Sequence, residues 1–372
     1  MHKKIIIAPN AYKGSLSSVE AAQAIANGFL KSGADVSLVQ LPIADGGDGS
    51  LPVILEYFGG EILEDRVKSP LGEEVFAKWG YSSSSHQAII ELAEASGIRL
   101  VATKDLDPMR ATTYGTGQLI EKANRKGARE IFLTIGGSAT NDMGLGALEA
   151  LGFRFYRDNQ QIMAIKPMDF LSVTSIISPE REFPAIKILC DVTNPLIGDQ
   201  GASTVFGPQK GARPEDIEIL EKSFIHIASL IKKEFGKDIT KVAGGGAAGG
   251  IAAVLYGVLD AEIIEGGEQI LEWADFDQQL NGAHLLITGE GKIDEQTNYG
   301  KGPGLVARKA KEQGIEVIGL SGILDSDTSK IEYFDQLIQI STPSMSIEES
   351  MNRTTENLER ASYHLGCKLK DA

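Results

Sequence analysis

Short runs of consecutive apolar residues, each followed by a helical pattern, open this chain and return near its end. Residues 5–8 (IIIA) form such a run, and the capping sequence SSVE at 17–20 begins a predicted helix that Gly33 ends. A second run at 36–41 precedes another predicted helix. Uninterrupted apolar runs are typical of strands buried on both faces, as in parallel sheets covered by helices. The pattern therefore predicts an α/β fold.

The alternation resumes late in the chain. Strands are predicted at 284–288, 317–320 and 337–340, and helices at 303–313 and from Ser346 to about residue 365. Together with the two early strands they would complete a five-stranded, doubly wound parallel sheet. The predicted organisation is one α/β domain formed by residues 1–64 and 280–372, with a second α/β domain, residues 65–279, inserted between them.

The middle of the chain has a different pattern. Short segments at 75–81 and 88–93, separated by serine and glycine, favour antiparallel strands. Further strands are predicted at 131–135 and 186–190, and helices at 118–124, 144–151 and 216–235. Residues 242–259 carry no charge, but six glycines and five alanines make them too weakly hydrophobic for membrane insertion. They are predicted to form a glycine loop that leads into a buried helix.

Charge and cysteine content exclude several classes of function. With 36 Lys+Arg against 51 Asp+Glu, the formal net charge of −15 argues against nucleic-acid and anionic-membrane partners, because both require a basic face. Cys190 and Cys367 lie far apart and the five histidines lack metal-ligand spacing, so no zinc site is expected. The apolar run after Lys4 is too short for a secretory signal. We therefore expect a cytoplasmic protein that acts on small molecules.

Polar, glycine-rich segments follow five of the predicted strands. They span residues 9–15 (PNAYKGS), 45–50 (DGGDGS), 136–142 (GGSATND), 191–195 (DVTNP) and 289–294 (GEGKID). Ligands of open α/β sheets bind beyond the carboxyl ends of the strands, so these segments are candidates for a site. Glycine amides hold phosphate oxygens, lysines neutralise phosphoryl charge, and carboxylates bind hydrated Mg²⁺ or accept a hydroxyl proton. The combination predicts phosphoryl transfer.

Single candidate residues, inside these segments and elsewhere, also have simpler explanations. Asp45 and Asp48 could equally cap turns, and Lys210 and Lys301, which lie among glycines, could bind phosphate or be exposed turn residues. The position of Asp191 favours a functional role for this residue, because a carboxylate at the end of an apolar strand is costly to bury unless it is paired. The chain contains neither a P-loop motif nor the protein-kinase signatures.

Two other classes of function have some support in the sequence. Gly244, Gly246 and Gly249 match the dinucleotide pattern GxGxxG, on which an NAD(P)-dependent oxidoreductase would have to rest. The match follows no strong strand, so a tight entry into a helix is the favoured interpretation. A non-catalytic small-molecule binding protein would need the glycines and one lysine, but not carboxylates at several strand ends.

The motifs taken together resemble those of the type 1 glycerate kinases. The matching segments are residues 8–16, 44–49, 136–142, 190–195 and 289–294, with further matches at 205–212 and 244–250. The resemblance implies ATP-dependent phosphorylation of D-glycerate with Mg²⁺, most often at the 2-hydroxyl. It also implies a flavodoxin-like domain interrupted by a second α/β domain. Phosphorylation of the 3-hydroxyl, or of another small hydroxy acid, is the alternative.

The chain departs from the family pattern at several positions. Residues 10–12 are Asn-Ala-Tyr where the family usually has Asp-Ser-Phe. Asp48, Met143 and Lys292 stand where Glu, Gly and Arg are often found. These changes leave the implied reaction class unaltered, but Asn10 lacks a carboxylate and is given no metal-binding role.

The roles of the site residues are our own hypotheses, based on their chemistry and on a reaction of this kind. Asp191 is expected to orient or deprotonate the glycerate hydroxyl, and Lys13, with Lys292 or Lys210, to neutralise the transferring phosphoryl group and the substrate carboxylate. Asp45 and Glu290 are expected to bind Mg²⁺. Substrate or phosphate binding is expected of Ser15, Gly136, Gly137, Ser138, Asn141, Asn194, Lys210 and Lys301. Because these groups come from both predicted domains, closure around the substrate is expected.

Overall fold

A computed structural model of the chain describes residues 2–44, 46–47, 49–295, 297, 302–324, 330–342 and 345–371. The strands are β1 (Lys3–Ile7), β2 (Val36–Gln40), β3 (Glu61–Lys68), β4 (Glu74–Ser82), β5 (Gln87–Glu91), β6 (Glu130–Thr134), β7 (Arg154–Arg157), β8 (Gln160–Ile162), β9 (Ser175–Ile177), β10 (Ala185–Leu189), β11 (Glu262–Ile264), β12 (Ala283–Ile293), β13 (Glu316–Leu324) and β14 (Gln336–Gln339). The α-helices are α1 (Ser18–Ser32), α2 (Leu51–Phe58), α3 (Leu92–Ser96), α4 (Tyr114–Lys126), α5 (Leu145–Ala150), α6 (Ala202–Phe206), α7 (Pro214–Phe235), α8 (Ile251–Leu259), α9 (Gly266–Trp273), α10 (Phe276–Leu280), α11 (Pro303–Glu312), α12 (Ile347–Asn352) and α13 (Thr354–Asp371).

The chain divides into two compact units. Unit 1 consists of Met1–Asp45, Pro52–Tyr57 and Gly267–Ala372, and unit 2 of Gly46–Leu51 and Phe58–Gly266. Unit 1 thus takes both ends of the chain, and unit 2 takes most of its middle.

Unit 1 is built on a five-stranded sheet in the order β2-β1-β12-β13-β14, in which every neighbouring pair is parallel. Numbered within the unit, this is the flavodoxin order 2-1-3-4-5. The predicted doubly wound α/β class is therefore confirmed. The strand order reverses between β1 and β12, and ligands of such sheets bind at this switch point, beyond the carboxyl ends of the two strands.

The uninterrupted apolar run of β1 is explained by helices on both faces of this sheet. Ile5 and Ile7 are fully buried in a core that also contains residues of α1 and α13. Ile6, which points the opposite way, is fully buried in a second core with residues of α9, α10 and α11. A strand covered on both sides has no solvent-facing position at which a polar residue would be favoured.

Helix α1 begins at the predicted capping box. The Ser17 hydroxyl accepts a hydrogen bond from the Glu20 N–H at 3.2 Å, and Glu20 Oε2 accepts one from the Ser17 N–H at 2.9 Å. The helix ends at Gly33, whose φ of 70° is in the left-handed region that favours glycine. Both predicted ends of this helix are confirmed.

We expect Ser17→Ala to lower the free energy of unfolding by about 1 kcal/mol, because it leaves the Glu20 N–H without its cap. The hydrogen bonds from Ser17 lower the pKa of Glu20, so the stabilisation they give should be present above the ordinary glutamate pKa and be lost as the pH falls through the lowered one. Urea unfolding of the two proteins at neutral and acidic pH tests both points. The exposed Ser83→Ala is the control, and an equal loss in both variants would contradict the capping role.

Unit 2 contains a six-stranded sheet in the order β11-β10-β6-β5-β4-β3. The strands β11, β10, β6 and β5 are parallel, whereas β4 and β3 are antiparallel to their neighbours. The alternating apolar and charged residues of β3, an edge strand, contain no apolar run, and this strand was not predicted. A smaller sheet, β8-β7-β9, was also missed, because its strands have only three or four residues each.

Several predicted elements differ in extent from the structure. The apolar run at 88–93 is strand only to Glu91, after which α3 begins, because a buried strand and a buried helix give the same apolar signal. Strand β12 continues to Ile293 and pairs with β13, so most of the segment predicted as a loop after it is strand. The final predicted helix is divided into α12 and α13.

The uncharged segment 242–259 forms a glycine-rich turn followed by the buried helix α8, as predicted. Across the ranges that the structure describes, no helix combines the length and the apolar character needed to cross a membrane.

Candidate functional site

The carboxyl ends of the parallel strands in unit 2 carry polar groups at four neighbouring positions. Strand β5 ends at Glu91, β6 leads into Gly136, β10 leads through Cys190 into Asp191, and β11 leads into Gly266. Neighbouring strands in a sheet lie about 5 Å apart. The topology therefore places these groups along one edge of the unit 2 sheet, where ligands of parallel sheets bind.

Asp191 is half-buried at this edge, directly after β10. Its Oδ1 accepts a hydrogen bond from the Gly266 N–H at 2.7 Å. A Cβ on residue 266 would lie 3.5 Å from both carboxylate oxygens, in ordinary contact. The carboxylate is thus held at the sheet edge by backbone, and the prediction that it takes part in the reaction stays a prediction.

The segment 136–142 after β6, which we call the 136–142 loop, begins as a tightly held turn. A Cβ on Gly136 would lie 2.5 Å from the Cα of Gly47, so only glycine permits this approach. Gly137 is exposed with φ of 71°, and its carbonyl accepts from the Ile98 N–H at 2.8 Å. The loop therefore offers backbone at the sheet edge in a fixed conformation, which is what phosphate binding by amides requires.

Lys210 is almost completely buried, with 1% exposure, against this loop. Its Nζ donates to Ser138 Oγ at 2.8 Å, to the Thr140 carbonyl at 2.6 Å and to Asn141 Oδ1 at 3.4 Å. Burial lowers the pKa of this lysine to about 7, although the charge of Asp142 acts in the opposite direction. The exposed-turn interpretation of Lys210 is therefore wrong, and its ammonium contacts the loop rather than solvent.

Asp142, at the end of the loop, is fully buried. It accepts hydrogen bonds from the N–H of Thr113 at 2.7 Å, from the Thr113 hydroxyl at 2.8 Å, and from the N–H groups of Gly144 and Gly146 at 3.1 and 3.3 Å. Burial raises the pKa of Asp142, and these four hydrogen bonds counteract part of the rise. The carboxylate thereby joins α4, the loop and α5.

The glycines of the GxGxxG match are required by the protein's own packing. A Cβ on Gly246 would lie 2.2 Å from the Pro195 carbonyl, and one on Gly249 would lie 2.1 Å from the Thr140 carbonyl. The Gly249 carbonyl also accepts from the N–H of Met143, whose φ of 53° is unusual for a side chain of that size. The tight turn before α8 therefore accounts for these glycines. Asn194 lies beside it and donates to the Gln200 carbonyl at 2.9 Å.

Glu91 is a buried carboxylate at the sheet edge that sequence analysis overlooked. It is 3% exposed, and its Oε1 accepts from the N–H of Leu51, the first residue of α2, at 3.0 Å. The available signal was a carboxylate closing an apolar run, as Asp191 does. It was missed because the run appeared to continue to residue 93.

In unit 1, the switch point between β1 and β12 carries a second set of predicted residues. Glu290, half-buried on β12, accepts from the Thr297 hydroxyl at 3.2 Å. Lys292 lies two residues on and forms an ion pair with Asp294 at 2.9 Å. The buried Tyr12 hydroxyl donates to the Leu320 carbonyl at 2.8 Å, and burial together with the charge of Glu290 raises the pKa of Tyr12.

The segment after β1 presents Lys13 as an exposed side chain at the same switch point. Ser15 is engaged locally, because its hydroxyl donates to the Met351 carbonyl at 2.5 Å. Asn10 is buried, with Oδ1 accepting from the Ala11 N–H at 2.8 Å. Two predicted site residues, Asp45 and Lys301, lie outside the described residues.

Several known proteins similar to this chain are named for glycerate kinase. Residues 5–370 match the sequence model of the glycerate kinase family. The chain is 37% identical to a glycerate kinase of Halalkalibacterium halodurans, with 97% of each chain covered. It is 39% identical to a protein of Escherichia coli K12 named glycerate 2-kinase, with 98% of each chain covered.

A solved structure from Salmonella typhimurium LT2, named for glycerate kinase 2, has the same fold. The TM-score is 0.87 at 38% sequence identity, and the match covers 100% of this chain and 99% of the other.

Proposed function

This chain belongs to the glycerate kinase family, and from that premise we propose that it transfers the terminal phosphoryl group of ATP to the 2-hydroxyl of D-glycerate. Kinases of this family are phosphotransferases with an alcohol group as acceptor. The products would be 2-phosphoglycerate and ADP. The 2-hydroxyl is preferred because the E. coli relative is named glycerate 2-kinase.

The observation that carries the proposal is the pairing of a carboxylate with a backbone turn at neighbouring strand ends. Asp191 follows β10, and the glycines of the 136–142 loop follow β6, which pairs with β10 along its whole length. A carboxylate can take the proton of a hydroxyl group, and exposed backbone amides can bind phosphoryl oxygens. A protein that only senses small molecules would not need the carboxylate.

In the proposed reaction, Asp191 orients the acceptor hydroxyl and takes its proton. The hydroxyl oxygen then attacks the terminal phosphorus of ATP, the bond from that phosphorus to the bridging oxygen breaks, and ADP leaves with the bond electrons. The N–H of Gly137 and the Ser138 hydroxyl would bind phosphoryl oxygens. Such preorganised donors favour the transition state because their orientation costs nothing during the reaction.

Two lysines would neutralise negative charge on the substrates. Lys13, exposed after β1, and Lys292, on β12, would neutralise phosphate oxygens or the glycerate carboxylate. Lysine suits this role as a flexible point charge. Since Lys292 is paired with Asp294, its contribution would include exchanging that partner for the substrate anion.

The carboxylate of Glu290, at the switch point, fits Mg²⁺ that arrives with the nucleotide. Within the described ranges, no group of three or more His, Cys, Asp or Glu side chains could hold a metal ion by itself. Mg²⁺ is usually bound through one or two carboxylates, phosphate oxygens and water, so a dedicated protein cage is not needed. Glu290 would supply the carboxylate, with Asp45 as a second proposed ligand, and the ion would neutralise phosphate charge.

The test is ADP release by the purified protein with Mg-ATP, with and without D-glycerate. We expect turnover that depends on glycerate, and a product whose phosphorus signal is split into a doublet by the single proton on C2. A triplet, from the two protons on C3, would assign the 3-hydroxyl instead. Bound ATP without turnover would contradict the proposal, and turnover only with another hydroxy acid would replace glycerate as the substrate.

A further inference from the structure

A short turn and a closely packed glycine hold the backbone on both sides of Lys210 in one conformation. Residues Pro208–Lys210 form a 3₁₀ turn, in which the Lys210 N–H donates to the Gly207 carbonyl at 2.9 Å. Gly211 follows with φ of 91°, and a Cβ there would lie 2.5 Å from the Leu106 carbonyl. The Lys210 side chain therefore extends from backbone that is held in place, which fixes its direction.

All three ammonium protons of Lys210 have acceptors within the 136–142 loop. These are Ser138 Oγ, the Thr140 carbonyl and Asn141 Oδ1, at 2.8, 2.6 and 3.4 Å. An ammonium group has three donors and no acceptor, so it has none left for a ligand. Ser138 Oγ, in contrast, accepts from Lys210 and keeps its own proton to donate elsewhere.

We propose that Lys210 is a positioning residue: it fixes the 136–142 loop and, by donating to Ser138 Oγ, directs the Ser138 hydroxyl proton to the phosphoryl group. This inference rests on the proposed function, in which that loop binds phosphate. It replaces direct phosphate binding by Lys210: of these two residues, only Ser138 contacts the phosphoryl group.

The arrangement depends on the charge of Lys210. A neutral amine has one fewer proton and gains a lone pair, which can accept the Ser138 proton and so withdraw that donor from the ligand. Since the pKa of Lys210 is lowered to about 7, the active arrangement should be lost as the pH rises above this value.

Asp142 is the charged group that acts directly on Lys210, and it favours the ammonium form. Charged residues on the flanking segments interact with one another: the charge of Arg213 is stabilised by Asp216, Glu215 and Asp107. A bound phosphate would further favour the ammonium, so the alkaline fall in kcat should lie at higher pH than that in kcat/KM.

The experiment compares Lys210→Met, Ser138→Ala and the double variant in the full-length enzyme. Each single change should lower kcat/KM about 10- to 100-fold, the range expected for a lost hydrogen bond to a charged group. The kcat/KM of the double variant should be within about 3-fold of that of the less active single variant, because the two substitutions remove the same donor. Lys222→Met, which removes an exposed lysine, should leave turnover and stability unchanged. Losses that multiply in the double variant would overturn the positioning role.

If Lys210→Met fails to fold, the dependence of kcat/KM on pH tests the positioning role of Lys210 instead. Wild-type kcat/KM should fall above a pH of about 7, and Ser138→Ala should lack this fall, because the titration acts through the serine. The same alkaline fall in Ser138→Ala, or no fall in the wild type, would overturn the inference. Failure of the proposed function is distinguished by the wild type alone, which would then show no glycerate-dependent turnover.

Discussion

Replacing Asp191 by asparagine should lower kcat at least about 100-fold while the protein keeps its fold. Asparagine retains the Oδ1 that accepts from the Gly266 N–H, so the 2.7 Å hydrogen bond that holds the side chain can persist. What is lost is the negative charge and the capacity to take a proton from the acceptor hydroxyl. Steady-state kinetics with D-glycerate and Mg-ATP, together with thermal unfolding, measure the two effects separately.

The matched control for this variant is Asp199→Asn. Asp199 is an exposed aspartate that follows the same strand, and it has been given no role in the reaction. Its replacement should leave kcat within about 2-fold of the wild type, because surface changes away from structural features have small effects. Near-normal turnover of Asp191→Asn would remove Asp191 from the role of base, and an unfolded variant would show that its role is structural.

The largest loss of stability is expected from Asp142→Ala. The change leaves the buried N–H groups of Thr113, Gly144 and Gly146 without their acceptor. It also removes the carboxylate that favours the charged form of the buried Lys210. Each buried donor left without an acceptor costs about 1–3 kcal/mol, so the loss for these three N–H groups should be at least about 3 kcal/mol, a large part of the usual free energy of unfolding.

Chemical denaturation of Asp142→Ala beside two companion variants tests this expectation. Asp142→Asn, which keeps one acceptor oxygen, should lose less stability than the alanine variant. Asp105→Ala removes an exposed aspartate of the same unit and should change the free energy of unfolding by less than about 0.5 kcal/mol. A loss below about 1 kcal/mol for Asp142→Ala would mean that the loop rearranges to satisfy these N–H groups.

Local patterns in the sequence were sufficient where a structural rule involves residues close together in the chain. The capping box at Ser17 and the glycine at 33 predicted the two ends of α1, and the apolar run 5–8 predicted strand β1. The polar segments after β1, β6 and β10 follow strand ends in the sheets, where ligands of α/β proteins bind. These rules depend on backbone geometry and burial within a few residues, so one sequence carries them.

Burial shared between distant segments left no such local signal. Lys210 lies among glycines and could equally have been exposed, because its acceptors are about 70 residues earlier in the chain. Glu91 was concealed because β5 and α3 are both buried and continue one apolar run. Strand β3 lacked an apolar run because it is a sheet edge with alternating exposure.

The sequence by itself determined the α/β class, most of the elements near the ends of the chain, and the motifs that indicate phosphoryl transfer. Only the tertiary structure decided the strand order β2-β1-β12-β13-β14 and the inward direction of Lys210. It also decided that Asp142, in the 136–142 loop, accepts hydrogen bonds from the N-terminal ends of both α4 and α5. The physical reason is that these features depend on hydrogen bonds and burial between segments far apart in the chain, which form only when the sheets assemble.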